Sequence, residues 1–297
     1  MIKAAARPRA MPIKYLIQTF IIQLYKINRP FAIVKMTGKK LNAIIPDMDK
    51  MILIAGKDYP DGRELSSAAE LHGYDCLITT NSRAQNVQTD DGSKVAVWNR
   101  SSPLSCRSLV LSAMNITGRI DEAVLVFDEP YYAPSFGTPN AQETNRAFDE
   151  LILGYQYLTS ELLLRFSQKK LAGLESNPGK LVFLYKSNVT DAQTILNPSS
   201  KNASNTPSKS LVAAAGAAFK AFAENMAATL ALSDDVIPVL VEADQNNETA
   251  RKDSALMGWL CTYLAQIDSL KKDLSPKQKV SWVKAGAKSP GGFSLFK

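Results

Sequence analysis

From Met51 onward, short apolar runs alternate with longer stretches whose apolar residues recur at helical spacing. Met51–Ala55 (MILIA) breaks at Gly56. Asp75–Thr80 (DCLITT), Lys94–Trp98 (KVAVW), Ala123–Phe127 (AVLVF), Leu181–Tyr185 (LVFLY) and Ile237–Val241 (IPVLV) have the same character, and a last strand is expected near Val280–Val283. Helices are predicted over residues 61–72, 103–117, 141–170, 209–232 and 253–271. In the long one at 141–170 the apolar stripe runs through Phe148, Leu151, Leu158, Leu162 and Phe166. Near-continuous apolar strands separated by helices predict an α/β fold. The expected architecture is a single Rossmann-like, doubly wound parallel sheet of about seven strands with helices on both faces.

Charge divides the chain unevenly. The whole carries 35 Lys+Arg against 28 Asp+Glu, a formal net charge of +7. Nine of the basic residues and none of the acids fall in residues 1–46, so the remainder holds 26 basic and 28 acidic residues. That near-neutral body offers no electrostatic footprint for a phosphate backbone, and no nucleic-acid partner is expected. Residues 1–47 read as a basic extension ahead of a domain at 48–297. Three readings of the extension compete: an amphipathic surface anchor or targeting peptide, a signal peptide without a small-residue cleavage site, and translated upstream sequence with the start at Met36, Met48 or Met51. The last is favoured, and a membrane surface is a partner only if residues 1–46 belong to the protein. Cytoplasmic localisation is expected.

Three widely spaced cysteines (Cys76, Cys106, Cys261) and one histidine (His72) give neither a disulfide framework nor a metal cluster, and they leave little room for a His-based triad. No metal is expected. The stretch from Ser187 to Ser210 is rich in Ser, Asn, Thr and Pro, and is read as a mobile loop, either covering a ligand crevice or merely inserted.

The order of elements from Met48 resembles the short-chain dehydrogenase/reductase family. Local marks carry the resemblance: Ala55-Gly56 ending the first strand with Gly62 following, Gly118-Arg-Ile-Asp121 leading into the fourth strand, Leu151-Ile-Leu-Gly154 in the long helix, and the Ala-rich helix at 211–232 in the place of the catalytic helix. The resemblance implies a dinucleotide cradled by a glycine-rich turn and a catalytic tetrad of Asn, Ser, Tyr and Lys.

Most of those positions hold other residues. The turn is Gly56-Lys-Asp-Tyr-Pro60-Asp-Gly62, with Pro60 at the middle glycine and with Asp58 and Asp61 placed against a diphosphate. Lys57 and Arg63 compensate in part. Gly56, Gly62 and Arg83 are the candidate cofactor-binding residues; Arg83 would read a 2′-phosphate, although a solvated loop arginine is preferred. The family's Asn-Asn-Ala-Gly becomes Phe127-Asp128-Glu129-Pro130, and its Pro-Gly after strand six becomes Ala243-Asp244. Asp128 and Glu129 at a strand carboxyl end allow an acid pair for catalysis or metal binding, but are read as caps of the loop beneath Tyr131-Tyr132, since no other carboxylate or histidine is evidently gathered with them. The tetrad positions are occupied by Leu151, Lys186, Val212 and Gly216. Ser187 and Tyr185 are the nearest substitutes, but Lys186 and Ser187 point to opposite faces of a strand and so make a poor Ser–Lys dyad.

The sequence therefore predicts a pseudoenzyme, a binding or scaffold protein with an unidentified partner or small ligand and with no NAD(P) or only weak binding of it. The alternative is a divergent NAD(P)-dependent oxidoreductase in which Tyr185, Tyr131 or Tyr132 has taken over the proton transfer. A homo-dimer or homo-tetramer is expected through the helices near 141–170 and 209–232. That pairing sets Leu151, Tyr155, Tyr157 and Leu162 against the small residues from Ala213 to Ala218.

Overall fold

A computed structural model describes residues 50–81, 92–171, 177–187, 208–244, 247–270 and 280–288. The expected N-terminal extension, Arg83 and most of the 187–210 loop lie outside the described residues. Seven strands form one sheet in the order β3-β2-β1-β4-β5-β6-β7, and every pairing is parallel. They are β1 (Lys50–Ala55), β2 (Tyr74–Thr80), β3 (Lys94–Val97), β4 (Glu122–Asp128), β5 (Gly179–Ser187), β6 (Val236–Asp244) and β7 (Val283–Lys284). The helices are α1 (Arg63–Leu71), α2 (Pro103–Thr117), α3 (Glu129–Tyr132), α4 (Ala141–Phe148), α5 (Gly154–Leu171), α6 (Ser208–Leu230), α7 (Glu248–Arg251) and α8 (Asp253–Leu270). This is the doubly wound α/β sheet that the apolar pattern predicts.

Strand alternation explains the two cores. Met51, Leu53 and Ala55 of β1, Ala123, Leu125 and Phe127 of β4, and Leu181 and Phe183 of β5 pack under α2, α5 and α6. The intervening Ile52, Ile54, Val124, Val126, Val182 and Leu184 pack under α1 and α8. Both faces are covered, so the runs are apolar throughout. Sequence also places the helix ends. Ser102 caps α2 by accepting from the Ser105 amide, Pro103 occupies the first turn, and Gly118 ends the helix in the left-handed region (φ 77°).

The structure departs from the sequence reading in three places. The 141–170 helix is interrupted by a π turn at Asp149–Leu153, directly before Gly154. A Cβ at Gly154 would lie 2.7 Å from the Arg100 carbonyl, so only glycine admits the loop after β3 there. Phe148, assigned to the apolar stripe, is 51% exposed. Leu151 of the π turn and Tyr155 and Leu162 of α5, expected to face a second copy, are buried in the chain's own core under the sheet, because the helix face that carries them is the one the sheet needs. The exposed positions of α6 include the small residues Ala213, Ala214, Ala217, Ala221 and Ala228 together with the polar Glu224, Asn225 and Thr229. Among the described residues no helix is long and apolar enough to cross a membrane.

Candidate functional site

In an open α/β sheet a ligand lies beyond the carboxyl ends of the strands, where the strand order reverses. Here that point falls between β1 and β4. A cleft of about 970 Å³ opens there, lined by Lys57, Asp61, Asn81, Asp128, Tyr131, Ser135, Lys186 and Arg251 among others.

Three of the lining residues, Lys57, Asp128 and Lys186, belong to a ring of four charges completed by Asp253. Asp128 and Lys186 are lateral neighbours in the β4–β5 register, and both continue the α8-facing parity of their strands. Lys57 follows β1, and Asp253 is the first residue of α8. Lys57 Nζ lies 2.9 Å from Asp128 Oδ2 and 2.6 Å from Asp253 Oδ2. Lys186 Nζ lies 2.7 Å from Asp253 Oδ1 and 3.7 Å from Asp128 Oδ2. Burial favours neutral Asp253, but Lys186 and Lys57 outweigh it and hold the carboxyl below its ordinary value. Burial likewise opposes the charge on Lys57, yet Asp128 and Asp253 raise its pKa. Asp128 also caps α3 through the Tyr131 amide (3.1 Å), the capping role read from sequence. The expectation that no second carboxylate joins it is corrected by Asp253, which is 125 residues away in sequence and reaches the same two lysines.

The opposite edge of the sheet repeats the arrangement. Lys50 begins β1, Glu122 begins β4, Lys180 lies beside Glu122 in β5, and Asp268 comes from the last turns of α8. Lys180 Nζ is 2.7 Å from both Glu122 Oε1 and Asp268 Oδ2; Lys50 contacts Asp268 and lies 3.7 Å from Glu122. The spans match. Six strand steps cover about 20 Å, and the fifteen residues from Asp253 to Asp268 rise about 22 Å. One helix thus pins both ends of three adjacent strands.

Beside the cleft, the turn after β1 is closed by its own chain. Gly56 has φ 119°, and a Cβ there would lie 2.0 Å from the Val126 carbonyl. Its carbonyl accepts from Arg100 Nη2 (2.8 Å) and from the Tyr132 hydroxyl. A Cβ at Gly62 would lie 2.3 Å from the Lys57 carbonyl. At the start of α1, the Gly62 amide donates to the Asp58 carbonyl (2.8 Å) and the Arg63 amide to the Pro60 carbonyl (3.0 Å). Asp58, expected to oppose a diphosphate, is instead buried. It pairs with Arg100 and accepts from the Thr79 hydroxyl at 2.6 Å. Asp61 remains on the cleft wall.

Three of the four tetrad positions sit on the other side of the sheet, while the fourth, Lys186, lines the cleft. Val212 and Leu151 are buried in the core, and a Cβ on Gly216 would press to 2.7 Å from Glu129 Oε1 and 3.1 Å from the Tyr185 ring. The Tyr185 hydroxyl donates to Glu129 Oε1 (2.7 Å), and burial followed by that carboxylate raises its pKa. The Tyr132 hydroxyl is buried against Gly56 and Tyr155, and burial raises its pKa too. Tyr131 alone of the three candidate phenols lines the cleft; its hydroxyl accepts from the Asp58 amide at 3.4 Å. Ser187 ends β5 opposite Asp244, and Lys186 is drawn into the ring. The structure thus assembles Lys57, Asp128 and Lys186 with Asp253, Arg251 and the nearby Arg100, three residues that sequence reasoning missed.

No family model matches the chain. An uncharacterized protein of Treponema pallidum (strain Nichols) is 25% identical over 250 residues, 83% of this chain and 97% of that one. Among solved structures, a short chain dehydrogenase from Mycobacterium smegmatis is 17% identical with a TM-score of 0.53, over 80% of this chain and 92% of that one. The 3-ketoacyl-(acyl-carrier-protein) reductase of Brucella melitensis, complexed with NADH, is 15% identical with a TM-score of 0.52, over 80% and 97%. An NADH-dependent reductase complexed with NAD is 13% identical with a TM-score of 0.53, over 80% and 95%. At these identities the likeness shows the fold: a Rossmann-like sheet of the short-chain dehydrogenase type.

Proposed function

We propose that this protein is a non-catalytic binding or scaffold protein on a short-chain dehydrogenase-like fold, with ion pairs in the crevice where such folds hold a dinucleotide. The observation that carries the reading is the Lys57–Asp128–Lys186–Asp253 ring at the β1/β4 switch point. Its counterpart at the amino edge uses the same residue classes from the same elements, at an edge where open α/β sheets do not bind ligands. Fastening the sheet to α8 therefore accounts for both rings without any chemistry.

Two further features support this reading. A pyrophosphate needs unengaged amides at the start of the first helix and a close backbone approach. The Gly62 and Arg63 amides already donate within the turn, and Asp61 adds negative charge. The residues present do not fit that group. Hydride transfer to a carbonyl also needs a proton donor matched to neutral pH. Val212 has no proton to give, and Tyr185 is held protonated by burial and Glu129.

A second reading, a divergent NAD(P)-dependent oxidoreductase, draws on one observation. The cleft is open and carries a phenol, Tyr131. In that case Tyr131, rather than Tyr185 or Tyr132, is the proton donor. Calorimetric titration with NADH and NADPH, followed by assay against a panel of carbonyl compounds, separates the two. The non-catalytic reading expects no binding below about 1 mM and no turnover. Micromolar binding with turnover that Tyr131→Phe abolishes would overturn it.

A further inference from the structure

Asp253 differs from the other three members of its ring. Asp128 and Lys186 belong to the sheet and Lys57 to the tight turn after β1, whereas Asp253 reaches in from the first residue of a helix. One carboxylate spans two ammonium groups, Oδ2 on Lys57 at 2.6 Å and Oδ1 on Lys186 at 2.7 Å. Asp128 lies behind the same pair, 2.9 and 3.7 Å away, and would hold both lysines in place if the outer carboxylate left. The residue before Asp253, Lys252, is extended (φ −109°, ψ 128°) and separates α7 from α8.

We infer that the cleft is a binding site for a small carboxylate-bearing molecule whose carboxylate replaces that of Asp253 between Lys57 and Lys186. The inference rests on the non-catalytic reading above, since it fills the crevice with something other than a dinucleotide.

Charge selects the ligand class. With Asp253 turned out, the lining holds Lys57, Lys186 and Arg251 against Asp61 and Asp128, one positive charge in excess. A monocarboxylate cancels that excess; a dianion such as phosphate would leave the cleft negative beside two aspartates. Arg251 is exposed on the cleft wall, and its side chain makes no ion pair among the described residues, so it supplies a third cation. Asn81, Tyr131 and Ser135 offer hydrogen bonds to the rest of the molecule. A volume of about 970 Å³ exceeds what one small ion fills and suits an organic ligand.

The test uses the full chain and acetate as probe, with inorganic phosphate for comparison, by calorimetry or ligand-observed NMR. Asp253→Asn removes the internal competitor and is expected to tighten acetate binding at least about tenfold. Lys57→Met in that background abolishes the gain. Arg251→Ala, at an exposed position that leaves folding intact, weakens acetate binding in the parent chain and decides the matter if Asp253→Asn does not fold. Unchanged acetate affinity in Asp253→Asn or in Arg251→Ala, or tighter binding of phosphate than of acetate, would overturn the inference. NADH titrated into the same samples keeps the two readings apart. Dinucleotide binding with turnover defeats the non-catalytic proposal, while loss of the acetate effect alone defeats only this one.

Discussion

Replacing Lys180 with Met tests whether the amino-edge ring is as buried as its geometry states. Lys180 Nζ is the 2.7 Å partner of Glu122, and without it the cation left beside Glu122 among the described residues is Lys50 at 3.7 Å. An uncompensated buried carboxylate costs about 3–5 kcal/mol if it stays charged. Taking up a proton is the other course; from an ordinary glutamate pKa near 4.3, that costs about 3.7 kcal/mol at pH 7 and about 1.6 kcal/mol at pH 5.5. The cheaper course caps the loss. Lys180→Met should therefore lose roughly 3–4 kcal/mol at pH 7 and regain about 2 kcal/mol on acidification to pH 5.5. The sign follows from linkage. In the variant the folded-state pKa of Glu122 is raised, so the folded state gains protons over the unfolded one and stability rises as pH falls. Asp268 adds no dependence over that range in the parent, because against the opposing effect of burial it is held below its ordinary value by Lys180 and Lys50. Glu122→Gln combined with Lys180→Met removes the orphaned charge and should be more stable than Lys180→Met alone at pH 7. Urea unfolding followed by circular dichroism, with unchanged slope, measures all of these. A single-variant loss below about 1 kcal/mol, or one equal at both pH values, would refute the reasoning.

Three other outcomes are expected. Gly56→Ala should cost at least about 3 kcal/mol in thermal or urea unfolding, because it combines a positive φ with a Cβ 2.0 Å from the Val126 carbonyl. Cys76, Cys106 and Cys261 are buried, with burial pushing the Cys261 thiol up to about 12, so Ellman's reagent should label none of the three natively and all of them in denaturant. Asp253 has a depressed pKa, so its contribution is present above its unfolded value of about 3.9 and fades as pH falls through the folded value. The stability gap between the parent and Asp253→Asn should accordingly be constant from pH 7 to 5 and narrow below about pH 4.

The sheet was legible because each strand announces itself locally. MILIA, AVLVF and LVFLY are apolar on both faces, and their breaks at glycine and charge mark the ends. The π turn was not: Phe148 and Leu151 read as one α-helical stripe, and the extra residue of the wider turn between them puts Phe148 out of phase and into solvent. The buried face of α5 was ambiguous too: Leu151 just before it and Tyr155 and Leu162 on it suit either a partner helix or the sheet, and only the assembled layers decide. The rings were partly in view. Lys50 and Lys57 bracket the first strand run, Glu122 and Asp128 the fourth, and Lys180 and Lys186 the fifth, so charge alternates in sign across neighbouring strands. That bracketing, read together with parallel register, points to lateral ion pairs. Asp253 and Asp268 had no such signal, because their partners lie in other elements far away in sequence.

The central claim is that the switch-point crevice holds ion pairs in place of a dinucleotide. Calorimetric titration of the full chain with NADH and NADPH tests it most directly. The account predicts no saturable heat up to about 1 mM of either. Saturation in the micromolar range, with hydride transfer to any carbonyl acceptor, would contradict it.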